Sequence, residues 1–251
     1  KDIPEMIKDA KSKYPDVDFV YTEPLGIHDK LIQIVAERIR SAGVLLPEEI
    51  EEKSFEILSE ETDLSAFQTE QLPIIKRIIH ATADFEFKDM LMFHPDAVRT
   101  GLEAIKAGKN ILTDIEMVKT GIIKRWLDPW GGKAICRLND EDVIRLSKET
   151  GKTRSEIAIE KGINENIGII SIGNAPTALL KVIDILSSPL APYPLPLVIG
   201  VPVGFVKALE SKTLLAAQNF PFITNLSRKG GTPVAVAAVN ALLKMAKEEA
   251  L

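Results

Sequence analysis

Cysteine is nearly missing from the chain. With Cys136 as the only one, an internal disulfide and the paired-cysteine metal sites are both excluded. Set within "KAICRL", that cysteine reads as a small core residue on a strand. Histidine is scarce too, at three, which leaves His28, His80 and His94 as the only imidazoles for proton transfer near neutral pH. No apolar run approaches the roughly 20 residues that span a bilayer. The amino end, "KDIPEMIKDAKSK", is charged where a secretory signal would be basic and then apolar, so a cytoplasmic protein is expected. The first residue is Lys and not Met, and the chain is therefore expected to be a fragment or a processed product. A basic excess is also lacking. Residues 1–52 hold 7 Lys and Arg against 12 Asp and Glu, and residues 53–251 hold 24 of each, which excludes the basic stripe of a nucleic-acid surface. Neither G-x-x-x-x-G-K-[ST] nor G-x-G-x-x-G occurs, so a nucleotide enzyme is a weak alternative.

What is present is a chain of 251 residues, 45% of them hydrophobic, enough to bury one large core with an appendage. Periodicity predicts a helix over about 3–13, a short strand "VDFVY" at 17–21, and a helix in "IHDKLIQIVAERIRSAG" closed by Gly43. That is too little for a core of its own, and a boundary is placed at 46, dividing residues 1–46 from 47–251. Beyond it, helices are predicted over about 48–60, 69–82, 96–107, 141–162, 176–187, 207–217 and 233–248. Between them lie "NILTD", "AICRL", "IGIISIG", "PLVIGVP" and "PFITNL". Five nearly uncharged strands alternating with helices predict a three-layer α/β fold with a five-stranded parallel sheet. In such sheets ligands bind beyond the carboxyl ends of the strands.

The loops expected at those ends are "GNAPTA", "GVPVGF" and "NLSRKGGTP". Each reads alone as an ordinary strand-to-helix turn, with Asn174 as a helix cap and Pro176 in the first turn. Three in one sheet point to a large, anionic, close-fitting ligand held by loop N–H groups. "LTDIEMV" offers Asp114 and Glu116 as a metal pair. The spacing of Thr113 and Glu116 equally fits a capping box, with Asp114 starting the helix. In "PIIKRIIHATA", Ile74, Ile75, Ile78 and Ile79 mark a buried side, His80 sits at its edge, and Arg77 precedes it on nearly the same face. On pattern alone His80 is either a packed interfacial histidine or a general acid. His94 in "FHPDA" reads as a helix start.

Taken together, "IIHATADFEF", "GLEAIKAGKNILTDIEMVKTGI", "TRSEIAI", "IGNAPTAL", "VIGVPVGFVKALESK" and "ITNLSRKGGTPVAVAAVNAL" resemble the precorrin-8X methylmutase family, over about residues 48–245. The resemblance implies a flavodoxin-like fold, a homodimer with its site near the subunit interface, and no cofactor, any cobalt belonging to the substrate. It implies an isomerase of cobalamin synthesis that moves the ring-C methyl of (cobalt-)precorrin-8 from C-11 to C-12. By resemblance the catalytic histidine is His80, and the substrate-contacting serine and arginine are Ser54 and Arg77. A polycarboxylate tetrapyrrole adds Arg154, Asn174, Thr177, Gly204, Lys229 and Gly231 as expected substrate contacts, with Lys207 a further candidate cation. Residues 1–39 are similar to the carboxyl-terminal tail of the sirohydrochlorin cobaltochelatases, which implies a parent fused to a chelatase and a cobalt-containing substrate. A catalytically silent tetrapyrrole carrier and an α/β phosphate-ligand enzyme are the competing classes.

Overall fold

The computed structural model describes residues 3–19, 29–41 and 47–250. The chain divides into two compact units, Lys1–Lys53 and Ser54–Leu251. The first holds α1 (Ile3–Lys13) and α2 (Asp29–Ser41), as the apolar spacing predicts. Of the expected strand at 17–21, residues 17–19 are not in a strand and the rest lie outside the described residues. Next comes α3 (Pro47–Glu61), with proline in the first helical position, where its missing N–H is no loss.

In the second unit the order is α4 (Leu72–Thr82), α5 (Phe87–Met90), β1 (Leu91–Phe93), α6 (Ala97–Lys106), β2 (Asn110–Thr113), α7 (Glu116–Gly121) and α8 (Lys124–Leu127). It continues with β3 (Ala134–Cys136), α9 (Glu141–Thr150), α10 (Arg154–Gly162), β4 (Ile167–Ile172) and α11 (Pro176–Leu186). The chain then runs through β5 (Leu197–Gly200), α12 (Ala208–Ala216), β6 (Phe222–Asn225) and α13 (Thr232–Glu248). The sheet order is β1-β6-β5-β4-β2-β3.

This corrects the expectation of five parallel strands. Among the described residues the sheet has six, and β1 lies antiparallel on the β6 edge, with Leu91 opposite Asn225 and Phe93 opposite Ile223. The stretch "LMF" is short and has no β-branched residue, unlike the other strands. Numbered on their own, the five parallel strands follow the order 2-1-3-4-5, whose switch point falls between β2 and β4. The predicted helix 141–162 is two helices. Gly151, at φ +71°, ends α9 in the left-handed region, and Thr153 with Glu156 opens α10 as a capping box.

Both sheet faces are covered, which is why the strands read as continuous apolar runs. Along β5, Leu197 and Ile199 join one core with α4, α6 and α13, while Val198 joins the other with α11 and α12. The α4 helix packs along α13. Its Ile74, Ile75, Ile78 and Ile79 are at most 1% exposed, so a four-isoleucine ridge fixes its rotation. Leu72 and Met245 line one cavity, and Asp84 pairs with Lys229, so the two helices run antiparallel. This brings the carboxyl end of α4, with His80, toward the same end as the strand-to-helix loops. Ile78→Ala is expected to lower unfolding free energy by about 2–5 kcal/mol in urea titrations, because a fully packed site cannot collapse around the void.

Candidate active site

At the switch point, one carboxylate organises the open end of the sheet. Asp114 follows β2 and is 1% exposed. It accepts hydrogen bonds from the backbone N–H groups of Gly173 (3.0 Å), Asn174 (2.8 Å) and Ala175 (2.7 Å). Burial pushes its carboxyl up from the ordinary value, and the three amides pull the other way. The "GNAPT" amides expected to receive an external anion are therefore filled by the chain's own aspartate, which also faces the amino end of α11. Asn174 does not cap that helix; Ala175 stands at the cap position and the Asn174 side chain is exposed. The proposed Thr113–Glu116 capping box is absent as well. The Thr113 hydroxyl donates to the Ile135 carbonyl at 3.1 Å, and α7 opens behind Ile115.

Beside this corner the other two loops interlock. The Gly231 N–H donates to the Val201 carbonyl at 2.8 Å, and the Gly204 N–H to the Arg228 carbonyl at 3.2 Å. Gly230 lies at φ +144°, and a Cβ there would stand 2.3 Å from the Val201 oxygen, so only glycine fits. Lys229, expected to meet a substrate carboxylate, is held by Asp84 at 2.6 Å and Glu86 at 2.7 Å. These pairs raise its pKa and lower that of Asp84. They tie the turn just past His80 to the loop before α13. Lys207 is exposed and in the left-handed region at φ +59°.

His80 is exposed on the last turn of α4, with Phe55 edge-on to its ring at 5.5 Å. Arg77, one turn earlier and half-buried, places its guanidinium 5.3 Å over the Trp126 ring. Ser54 precedes Phe55 on α3 and is half-buried. A cavity of about 250 Å³ opens beside these residues, with Phe55, Leu72 and Ala241 on its walls and Lys76, Arg77 and Lys244 among its polar groups. A wider groove nearby is lined by Glu70, Glu248 and Glu249, a surface that would repel a polycarboxylate. Thr177 shares hydroxyl contacts with Thr153 (3.2 Å) and Ser155 (3.1 Å), which places the exposed Arg154 near the β4 end.

The expected residues thus fall in two groups. Asn174, Thr177, Gly204, Lys229 and Gly231 rim the carboxyl ends of β4, β5 and β6, and Arg154 adjoins them. His80, Arg77 and Ser54 lie on α4 and α3, joined to the first group by the Lys229 ion pairs. Val203, Phe205, Val206 and Leu226 add exposed apolar surface to the loops. The arrangement offers an accessible imidazole at the border of an apolar, partly cationic crevice. Two organising residues escaped sequence reasoning: Asp114 as a cross-strand anchor, and Lys212, fully buried on α12. The first has no local signature because its partners lie about sixty residues away. The second stands in "ESK", which looks like an ordinary solvated helix face. Replacing the anchor by amide, Asp114→Asn, leaves one oxygen for the Asn174 and Ala175 N–H groups and sets an NH2 group against the N–H of Gly173. It is expected to lower stability by about 2–4 kcal/mol in urea unfolding.

Comparison with known proteins places this geometry among relatives. The family described as Precorrin-8X methylmutase matches residues 49–245, and one described as CbiX matches residues 1–42, the segment likened above to a chelatase tail. The cobalt-precorrin-8 methylmutase of Priestia megaterium is 46% identical over 197 residues, covering 78% of this chain and 87% of that protein. The precorrin-8X methylmutase of Pseudomonas aeruginosa is 40% identical over 193 residues, covering 76% and 91%. A crystal structure of precorrin-8x methyl mutase from Thermus thermophilus superposes with a TM-score of 0.74 at 38% identity, covering 81% of this chain and 98% of that one.

Proposed function

The chain belongs to the precorrin-8X methylmutase family, and on that premise we propose that it isomerises cobalt-precorrin-8 to cobyrinate in cobalamin synthesis. In this [1,5]-sigmatropic shift the bond from the methyl to C-11 breaks as the bond to C-12 forms. Substrate and product are isomers, so no oxidant, reductant or group donor is consumed. Protonation of the ring-C nitrogen makes the migration terminus electron-poor. His80 lends that proton, and the proton is returned when the product forms. The observation that carries the reading is the exposed His80 imidazole seated edge-on against Phe55, one turn from Arg77. A group so placed reaches a ligand, whereas a core histidine would be enclosed.

The remaining parts of the reading follow from the same surface. Ser54, Arg77, Arg154, Thr177 and the 204 and 229–231 loops are the proposed contacts of the macrocycle and its carboxylate arms. Cavities that enclose a drug-sized ligand run to roughly 300–1,000 Å³. The 250 Å³ cavity beside Arg77 is too small for a tetrapyrrole but takes one of its arms. We read the crevice as completed by a second copy of the chain across the apolar loops around Phe205 and Val206, in a homodimer. The 2-1-3-4-5 order supports a flavodoxin-like fold, and the protein itself supplies no cofactor in this scheme. Among the described residues no helix is long and apolar enough to cross a membrane, which agrees with a cytoplasmic enzyme. The cobalt form is favoured by the name of the Priestia relative and by the chelatase-like segment at residues 1–42.

Anaerobic visible spectra test the proton role. Wild type is expected to convert cobalt-precorrin-8, and His80→Ala to be slower by about 10²- to 10⁴-fold with affinity changed only a few-fold. Undiminished turnover in the variant would remove His80 from the chemistry. Binding without conversion by wild type would point to a carrier.

A further inference from the structure

Lys212 is 0% exposed, on a helix whose Leu214 faces solvent. Taking an ammonium out of water is costly unless something compensates. Both hydrogen-bond partners found for it are uncharged. Its Nζ donates to the Lys229 carbonyl at 2.6 Å and to the Asn225 side-chain oxygen at 3.3 Å. Burial lowers its pKa to about 8, and no acidic neighbour opposes that shift. Asn225 in turn donates to the same Lys229 carbonyl at 2.9 Å and to the Ser227 hydroxyl at 3.0 Å. Two buried donors therefore converge on one backbone oxygen.

That oxygen belongs to the peptide joining Lys229 to Gly230. In a trans peptide the C=O and N–H point in opposite directions, so a carbonyl drawn inward to Lys212 turns the Gly230 N–H outward. The Gly230 N–H has no acceptor among the described residues. Two successive glycines at φ +144° and +108° make this peptide easy to flip, so its direction depends on an anchor. A cation bonded to the carbonyl also polarises the peptide and strengthens its N–H as a donor.

We propose that Lys212 is a positioning residue for substrate binding: it locks the Lys229–Gly230 peptide so that the Gly230 N–H faces the crevice and receives a carboxylate arm of the substrate. The inference rests on the methylmutase reading above and extends it to a residue that does not itself touch the ligand. The buried charge is then balanced, through one polarised peptide, by an anion that arrives only with the substrate. It also explains why this lysine has no carboxylate partner among the described residues: an internal anion would cancel the field that the loop presents.

The test combines kinetics with glycine-selective nitrogen-15 spectra of the full chain, using cobalt-precorrin-8 for turnover and cobyrinate for binding. In wild type the Gly230 amide is expected to shift on adding cobyrinate, while the Gly173 amide, held by Asp114, stays in place. Lys212→Met is expected to raise KM about tenfold, with kcat kept within about threefold, and to abolish the Gly230 response. An unchanged KM in a folded Lys212→Met protein would overturn the proposal. So would a Gly230 amide in wild type that ignores saturating cobyrinate, a result that needs no variant. If wild type turns over normally while Gly230 is silent, the positioning role fails and the methylmutase reading survives. If wild type neither binds nor converts, the reading itself fails.

Discussion

The open end of this sheet depends on how its charges are disposed of internally, and the Asp114 carboxylate is the first instance. A strand end and a helix start meet at the switch point with three backbone donors aimed at one place. Filling that place from within converts a generic anion site into a rigid corner, and closes it to ligands. In the proposed reading the ligand surface therefore lies toward the β5 and β6 loops and the end of α4.

The same logic recurs there with the opposite sign. Lys229 is engaged by Asp84 and Glu86, so it works as a clasp between the His80 turn and the loop before α13. Among the described residues Lys212 is engaged by neutral oxygens alone, so in the proposed reading its charge acts through the peptide it holds. Exposed ion pairs contribute little stability, typically about 0–1 kcal/mol, so the clasp matters more for registering two elements than for holding the fold. The fold itself rests on the doubly covered sheet and the isoleucine ridge of α4.

Much of this was legible in the letters. The five apolar runs give the five parallel strands, because burial on both faces removes the need for polar alternation. The spacing of Ile74, Ile75, Ile78 and Ile79 gives α4 and its buried face, and so places His80 at the edge. The β1 strand was not legible, since "LMF" lacks the β-branched residues that every other strand carries. The α9–α10 break was present in Gly151 and the Thr153–Glu156 box, but the continuous helical spacing on both sides masked it. Asp114 was misread and Lys212 passed over for a common reason: their partners are not local in sequence, and the neighbouring letters show no sign of them. Lys229 was read as an open charge, and the fold shows it paired, because Asp84 and Glu86 approach it only there.

The central claim is that this crevice moves a methyl group within one macrocycle. It is tested most directly by anaerobic single turnover of cobalt-precorrin-8 carrying carbon-13 both in its C-11 methyl and at C-12, diluted with unlabelled substrate and followed by carbon-13 NMR, where one-bond carbon–carbon coupling in the product reports that the methyl and C-12 come from one molecule. The account predicts that the methyl label leaves the C-11 methyl position and appears quantitatively in the C-12 methyl, with no transfer between labelled and unlabelled molecules. A methyl label that stays at C-11 while the protein binds the compound, or one that scrambles between molecules, would contradict it.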